Sequence, residues 1–194
     1  PLQGTPQVVS AGVHGLAAAA GCQLVAACDL AVAAETAGFV SPGGKGGWFC
    51  TTPMVAIGRN LARKHALELA LTGDTIDGRQ ACDWGLVIEA VPEPELDAAV
   101  ERLADRMTGV PINQLVMQKL MVNQALDNMG LQSTQMIATL FDGITRHSPE
   151  GRWFVDFAQQ HGFDAAVKWR DEGRFIPDGG GPIPADASTV PIMS

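Results

Sequence analysis

Apolar residues run almost unbroken from Val13 to Ala33. The stretch VHGLAAAAGCQLVAACDLAVA holds one carboxylate, Asp29, and one amide, Gln23. It lacks the alternation of a half-exposed strand and the polar stripe of a surface helix, so it reads as buried. Val-rich Gln7–Leu16, bounded by Pro6 and Gly15, predicts a buried strand. Ala17–Ala27 predicts a helix wrapped by protein on every side, ending near Asp29. LAVAAE and AGFVS predict two further short strands. SPGGKGGWFCTTP, Ser41–Pro53, has four glycines and two prolines and predicts a loop.

MVAIGRNLARKHALELALTG predicts one or two helices closing on Gly73. TIDGRQACDWG predicts a short helix capped by Asp77 and stopped by Gly85, and LVIEAVP another strand. From Glu93 to about Gly173 the pattern turns helical: Glu95–Met107, Pro111–Asn128, Leu131–Arg146, Pro149–His161 and Phe163–Glu172. The Gly/Pro-rich tail has no period. Strand–helix–strand units followed by helices predict an α/β core over 6–92, a helical subdomain over 93–175 and an irregular tail over 176–194.

The chain has 194 residues, 46% hydrophobic, and a mean hydropathy of +0.11, enough for one domain with a real core. A net charge of −8 and a pI near 4.8 argue against nucleic-acid or anionic-membrane surfaces. Apolar runs break well before the ~18 residues of a membrane span. Four cysteines form no CxxC pair, so they read as reduced thiols in a cytoplasmic or, in a eukaryote, mitochondrial-matrix setting, and no metal site is expected. The first residue is Pro1 and a strand begins almost at once, which predicts that an N-terminal portion of the protein precedes this chain.

A glycine turn feeding an apolar helix leaves the first helical N–H groups unpaired, at the positive end of the helix dipole. Small residues at Ala18, Ala19 and Ala20 would let a ligand oxygen approach them, as in an oxyanion hole. A helix packed with alanine merely because its neighbours lie close fits the same spacing.

The block GLAAAAGCQLVAACD, Gly15–Asp29, resembles the signature of the crotonase (enoyl-CoA hydratase/isomerase) superfamily. LAVAAETAGFVSPGGKGG, the stretch from Arg63 to Met107 and the stretch from Arg146 to Phe175 resemble its later segments, so the likeness covers roughly Pro6 to Phe175. It implies an α/β, crotonase-like (ClpP/crotonase) spiral of ββα units with a C-terminal helical subdomain. Residues 6–92 would then be the latter part of the spiral. It further implies a homotrimer or hexamer, coenzyme A thioesters as substrates in fatty-acid metabolism, and no separate cofactor. The Ala20 amide takes the place of the second oxyanion donor, the first lying upstream of this chain. Ala18, Ala19, Gly21, Ser41, Trp48, Phe49 and Cys50 fall where the family lines its acyl pocket.

The two catalytic glutamates of the family's hydratases fall on Gln23 and Gly43, neither of which exchanges a proton near neutrality. The resemblance therefore implies a lyase- or isomerase-type protein that retains the cradle and lacks the standard two-glutamate hydration. A non-catalytic acyl-CoA-binding or assembly subunit and a thioesterase using Cys50 are the alternatives. His14 reads as structural, His65 and His147 as solvent-facing, Asp29 as a helix-end structural residue, and Lys168 and Arg170 as solvated charges.

Overall fold

Residues 2–174 and 176–186 are described by a computed structural model, in which strands arrive in pairs and the members of each pair join different sheets. Strands β1 (Ser10–Val13) and β2 (Leu16–Ala18) lead into helix α1 (Ala20–Ala27). Strands β3 (Leu30–Ala34) and β4 (Gly38–Val40) repeat the step, followed by α2 (Thr51–Asn60) and α3 (Arg63–Thr72). Parallel pairing of β1 with β3 and of β2 with β4 stacks one unit on the next. Strand β5 (Ile76–Asp77) adds antiparallel to β4; after α4 (Gly78–Trp84), β6 (Glu89–Val91) adds parallel to β3. The orders β1-β3-β6 and β2-β4-β5 give two small sheets with helices between successive turns of the chain.

The predicted helix at Ala17 starts later. Leu16–Ala18 is strand because its backbone pairs with Gly38–Val40, a partner distant in sequence. Gly15, at φ +67, makes the corner between β1 and β2, and its carbonyl accepts from the Gly38 amide at 2.8 Å. Helix α1 is not wrapped on every side either. Cys22, Val25 and Ala26 are buried, whereas Leu24 is 57% exposed. The chain through α2 and α3 breaks at Leu61–Ala62, giving two helices, and Gly73 ends the second in a left-handed turn. Asp77 caps α4 by accepting from the Gln80 amide at 2.8 Å. The predicted Ser41–Pro53 loop contains a 3-10 turn at Pro42–Gly46, and α2 begins inside it at Thr51.

Helix α5 (Leu96–Thr108) lies on the first sheet, where Leu96, Ala99 and Leu103 pack on Val32 and Val91. Helices α6 (Ile112–Asn128), α7 (Leu131–His147), α8 (Pro149–His161) and α9 (Phe163–Asp171) complete the described helices. A second core cluster forms where Trp153, Phe154 and Phe157 of α8 meet Ala166 and Trp169 of α9. The tail is irregular to residue 186 yet fastened: Ile176 and Ile183 pack on that cluster, and the Gly179 amide donates to Glu150 at 2.8 Å. Phe175 and the tail beyond residue 186 lie outside the described residues. No helix among the described residues is long and apolar enough to cross a membrane.

Helices α6 and α7 leave more apolar side chains outside than α8 and α9, where Val155 and Phe163 are the large apolar residues exposed among those described. Met136, Leu140 and Ile144, one turn apart on α7, are all more than half exposed, as are Met117 and Met121 on α6.

Candidate functional site

Strand β2 hands the chain to α1 through Ala19, whose backbone lies at φ 48, ψ −112. It is the one non-glycine residue with positive φ among the described residues, a conformation that costs an alanine roughly 1–3 kcal/mol. Ala19 is held there from both sides: its amide donates to Val40 at 3.0 Å, and its carbonyl accepts from Gln23 at 3.1 Å. The tight corner leaves Ala20 as the first helical residue. Its amide donates to no acceptor among the described residues, and the helix dipole places positive potential there. Beside it, a Cβ added to Gly21 would meet nothing within 4 Å, so the space next to this tip is open.

Ala20 and Gln23 line one cavity of about 270 Å³, walled further by Val55, Arg59, Leu131 and Gln135. Among the described residues, no carboxylate and no imidazole stands in its lining. Gln23 is half-buried there; its amide can orient a ligand but cannot carry a proton. Ala18 ends β2 just before the strained corner.

The other expected pocket residues are disposed differently. Ser41 is fully buried, directly after β4, with its hydroxyl unpaired. Trp48 meets Phe154 edge-on at 5.2 Å between ring centres, and its Nε1–H donates to Gly151 at 3.1 Å. The Phe49 ring meets Phe141 edge-on at 5.5 Å and its amide donates to Thr145 Oγ1 at 3.0 Å. These contacts pin the glycine-rich segment to α7 and α8, and neither ring lines the cavity of Ala20. Thr51 and Thr52 side chains lie outside the described residues.

Gly43 and Cys50 are coupled. The Gly43 amide donates to Cys50 Sγ at 2.9 Å, and a Cβ built on Gly43 would collide with that sulfur. Any side chain at 43 therefore needs Cys50 to move. Cys22, beneath the α1 tip, has its thiol pushed up to about 12, first by burial and then by the neighbouring Cys50 thiol.

The remaining candidates are structural by their contacts. Asp29 Oδ2 accepts from the Val9 amide at 2.8 Å and from buried Lys119 at 2.7 Å. Lys119 also donates to the carbonyls of Leu2 and Gln7, so it ties α6 to the N-terminal segment. Glu35 pairs with Arg79 at 2.7 Å. His65 is not solvent-facing on its flat side: it stacks on Trp84 with ring centres 4.4 Å apart. His147 Nδ1 lies 2.7 Å from the Gly143 carbonyl. Arg170 pairs with Asp171 at 2.7 Å. The sequence did not single out Arg59, Gln135 or Lys119, each of which is written like an ordinary polar residue of a helix.

Residues 1–157 match the family described as Enoyl-CoA hydratase/isomerase. Mouse enoyl-CoA hydratase domain-containing protein 3, mitochondrial, is 45% identical over 109 residues, 56% of this chain and 36% of that protein. Its Xenopus laevis counterpart is 41% identical over 144 residues, 72% of this chain and 49% of that protein. The chain thus spans about a third to a half of the curated relatives it matches. The crystal structure of an enoyl-CoA hydratase from Mycobacterium smegmatis superposes with a TM-score of 0.83 at 39% identity, covering 88% of this chain and 58% of that one. The α/β crotonase fold with its helical C-terminal region is therefore the fold of this chain.

Proposed function

Because this chain belongs to the enoyl-CoA hydratase/isomerase family, we propose that it binds an acyl thioester of coenzyme A with the carbonyl oxygen at the Ala20 amide, in fatty-acid metabolism. The observation that carries this is an unspent first-turn amide opening on the same cavity as Gln23. When the α-carbon of a thioester loses a proton, charge builds on the carbonyl oxygen. A fixed N–H aimed there stabilises the enolate-like state, and one such donor is worth roughly 10²–10³ in rate. Ala18, Ala19 and Gly21 keep side chains away from that approach.

Hydration of an enoyl thioester needs one group to deprotonate water and another to protonate the α-carbon. The resemblance assigns Gln23 and Gly43 to those two places; of the two, Gln23 lines the cavity of Ala20, and the described residues of that lining supply no replacement. The chain therefore does not run the two-glutamate reaction with its own residues. Lyase or isomerase chemistry at this tip would need a proton-transfer group other than those of the described lining. The acid-free lining also favours a second reading, a non-catalytic acyl-CoA-binding or assembly subunit. Thioester cleavage by Cys50 has less behind it, since no imidazole or carboxylate is bonded to that sulfur among the described residues. The open apolar faces of α6 and α7 support assembly of copies of the protein into a trimer or hexamer.

The test is made on the purified protein. Titration calorimetry with butyryl-CoA is expected to give saturable binding. Hydration of crotonyl-CoA, followed by loss of the enoyl-thioester absorbance, is expected to run at least ~10³-fold below a two-glutamate hydratase. A normal hydration rate overturns the role given to Gln23 and Gly43; no binding overturns the Ala20 site. Binding with turnover of another acyl thioester selects the enzyme, and binding without any turnover the subunit.

A further inference from the structure

Arg59, in the last turn of α2, is half-buried, and its Nη1 is shut off from solvent without a hydrogen-bond partner among the described residues. No carboxylate among the described residues pairs with this guanidinium, and with Nη1 enclosed, Nε and Nη2 are the donors left for a ligand. Its position suggests their use. Arg59 stands in the wall of the cavity that holds Ala20 and Gln23, and it also borders two further hollows.

Among the described residues of the cavity lining there is no carboxylate to neutralise it; the polar side chains beside Arg59 are the amides of Gln3, Gln23 and Gln135. Asp29, the one acid bordering an adjoining hollow, is already engaged by Lys119 and the Val9 amide. A planar, permanently charged fork among amides and aliphatic walls matches a carboxylate or phosphate, which it can grip through two parallel hydrogen bonds. The cavity, about 270 Å³, sits at the small end of ligand sites, so an anion reaching Arg59 belongs to a short group anchored at the α1 tip.

We infer that the acyl chain held in this cavity ends in a carboxylate, so that the favoured ligand is a short dicarboxylyl thioester of coenzyme A, and that Arg59 receives that carboxylate. This rests on the reading of Ala20 as the thioester's oxyanion donor. In a protein of net charge −8, an unpaired guanidinium is what makes an anionic acyl group acceptable. The phosphates of coenzyme A are the other anions a thioester brings, and the experiment separates the two sources.

Calorimetric titration of the purified protein with glutaryl-CoA, butyryl-CoA and free coenzyme A gives three affinities, for the wild type and for Arg59→Met and Arg59→Lys. Wild type is expected to bind glutaryl-CoA about tenfold or more tightly than butyryl-CoA, because a desolvated charge-assisted pair is gained. In Arg59→Met that ratio falls to about one. Arg59→Lys keeps the charge but not the fork, and lands between. A wild-type ratio near one overturns the inference without needing any variant. So does an equal loss for all three ligands in Arg59→Met, which assigns Arg59 to the phosphates. Absence of butyryl-CoA binding by the wild type is a different failure, that of the Ala20 reading itself.

Discussion

The tip of α1 and the α8–α9 pair sit at opposite extremes of local design. At the tip, an alanine is held at positive φ, the next amide has no partner, and a guanidinium nitrogen lies buried and unpaired in the adjoining wall. In α8–α9, Ser148 caps the helix start, Pro149 occupies its first turn, and four large rings close on one another. The unpaired indole N–H groups of Trp153 and Trp169 lie among those rings. The contrast teaches that one short chain separates its tasks. Both regions enclose donors without partners among the described residues; the difference is that the clamp fills its surroundings with rings, while the tip sets a strained φ and a free backbone amide beside an open cavity.

The contrast breaks most readily through the clamp. Phe157→Ala empties a fully buried ring site and is expected to cost about 3–5 kcal/mol in chemical denaturation, while leaving the α1 tip intact. Loss of acyl-CoA binding in the still-folded variant would show that the two regions are not separable.

Beneath the tip, Cys22 sharpens the comparison through pH. Its folded-state thiol is raised from 9.0 to about 12, so the neutral form is favoured by folding. Stability from this source is fully present below pH 9 and is lost as pH climbs towards 12, in total roughly 2–4 kcal/mol. Denaturation midpoints of wild type and Cys22→Ala should converge across that range. Parallel pH profiles would contradict the burial of this thiol.

A smaller effect comes from the cap of α8. Ser148 Oγ accepts from the Gly151 amide at 3.1 Å and donates to Thr145 at 2.9 Å. Ser148→Ala should cost about 1–2 kcal/mol by thermal melting. Smallest is the reversed sign at the tip. Ala19→Gly relieves a strained φ, less the entropy glycine brings to the unfolded chain, and should stabilise by about 1 kcal/mol. A loss of stability on that change would mean Ala19 carries no strain, and the comparison would fail at its centre.

Sequence periodicity located the helices from α5 onward to within a residue or two, because their amphipathic pattern and caps are local. The start of α1 was misplaced for a non-local reason. Leu16–Ala18 has helix-forming residues, and only pairing with Gly38–Val40 makes it a strand. The family signature located the tip residues Ala20 and Gln23 together, and the structure sets them on one cavity. It gave no hint that Trp48 and Phe49 turn towards α7 and α8, since an aromatic in a glycine-rich loop is written identically whether it faces a ligand or a helix. Lys119 and Arg59 were illegible for a related reason. Both look like ordinary surface cations of a helix, and only tertiary packing decides that one is buried in a pair and the other left unpaired.

The close fit of the Cys50 sulfur over Gly43 makes the two positions interdependent. A side chain introduced at 43 meets the sulfur with its first carbon, so the thiol has to rotate aside and give up the Gly43 amide. The bareness of position 43 is thus imposed by a neighbour seven residues along the chain, through a group that a single torsion can swing away.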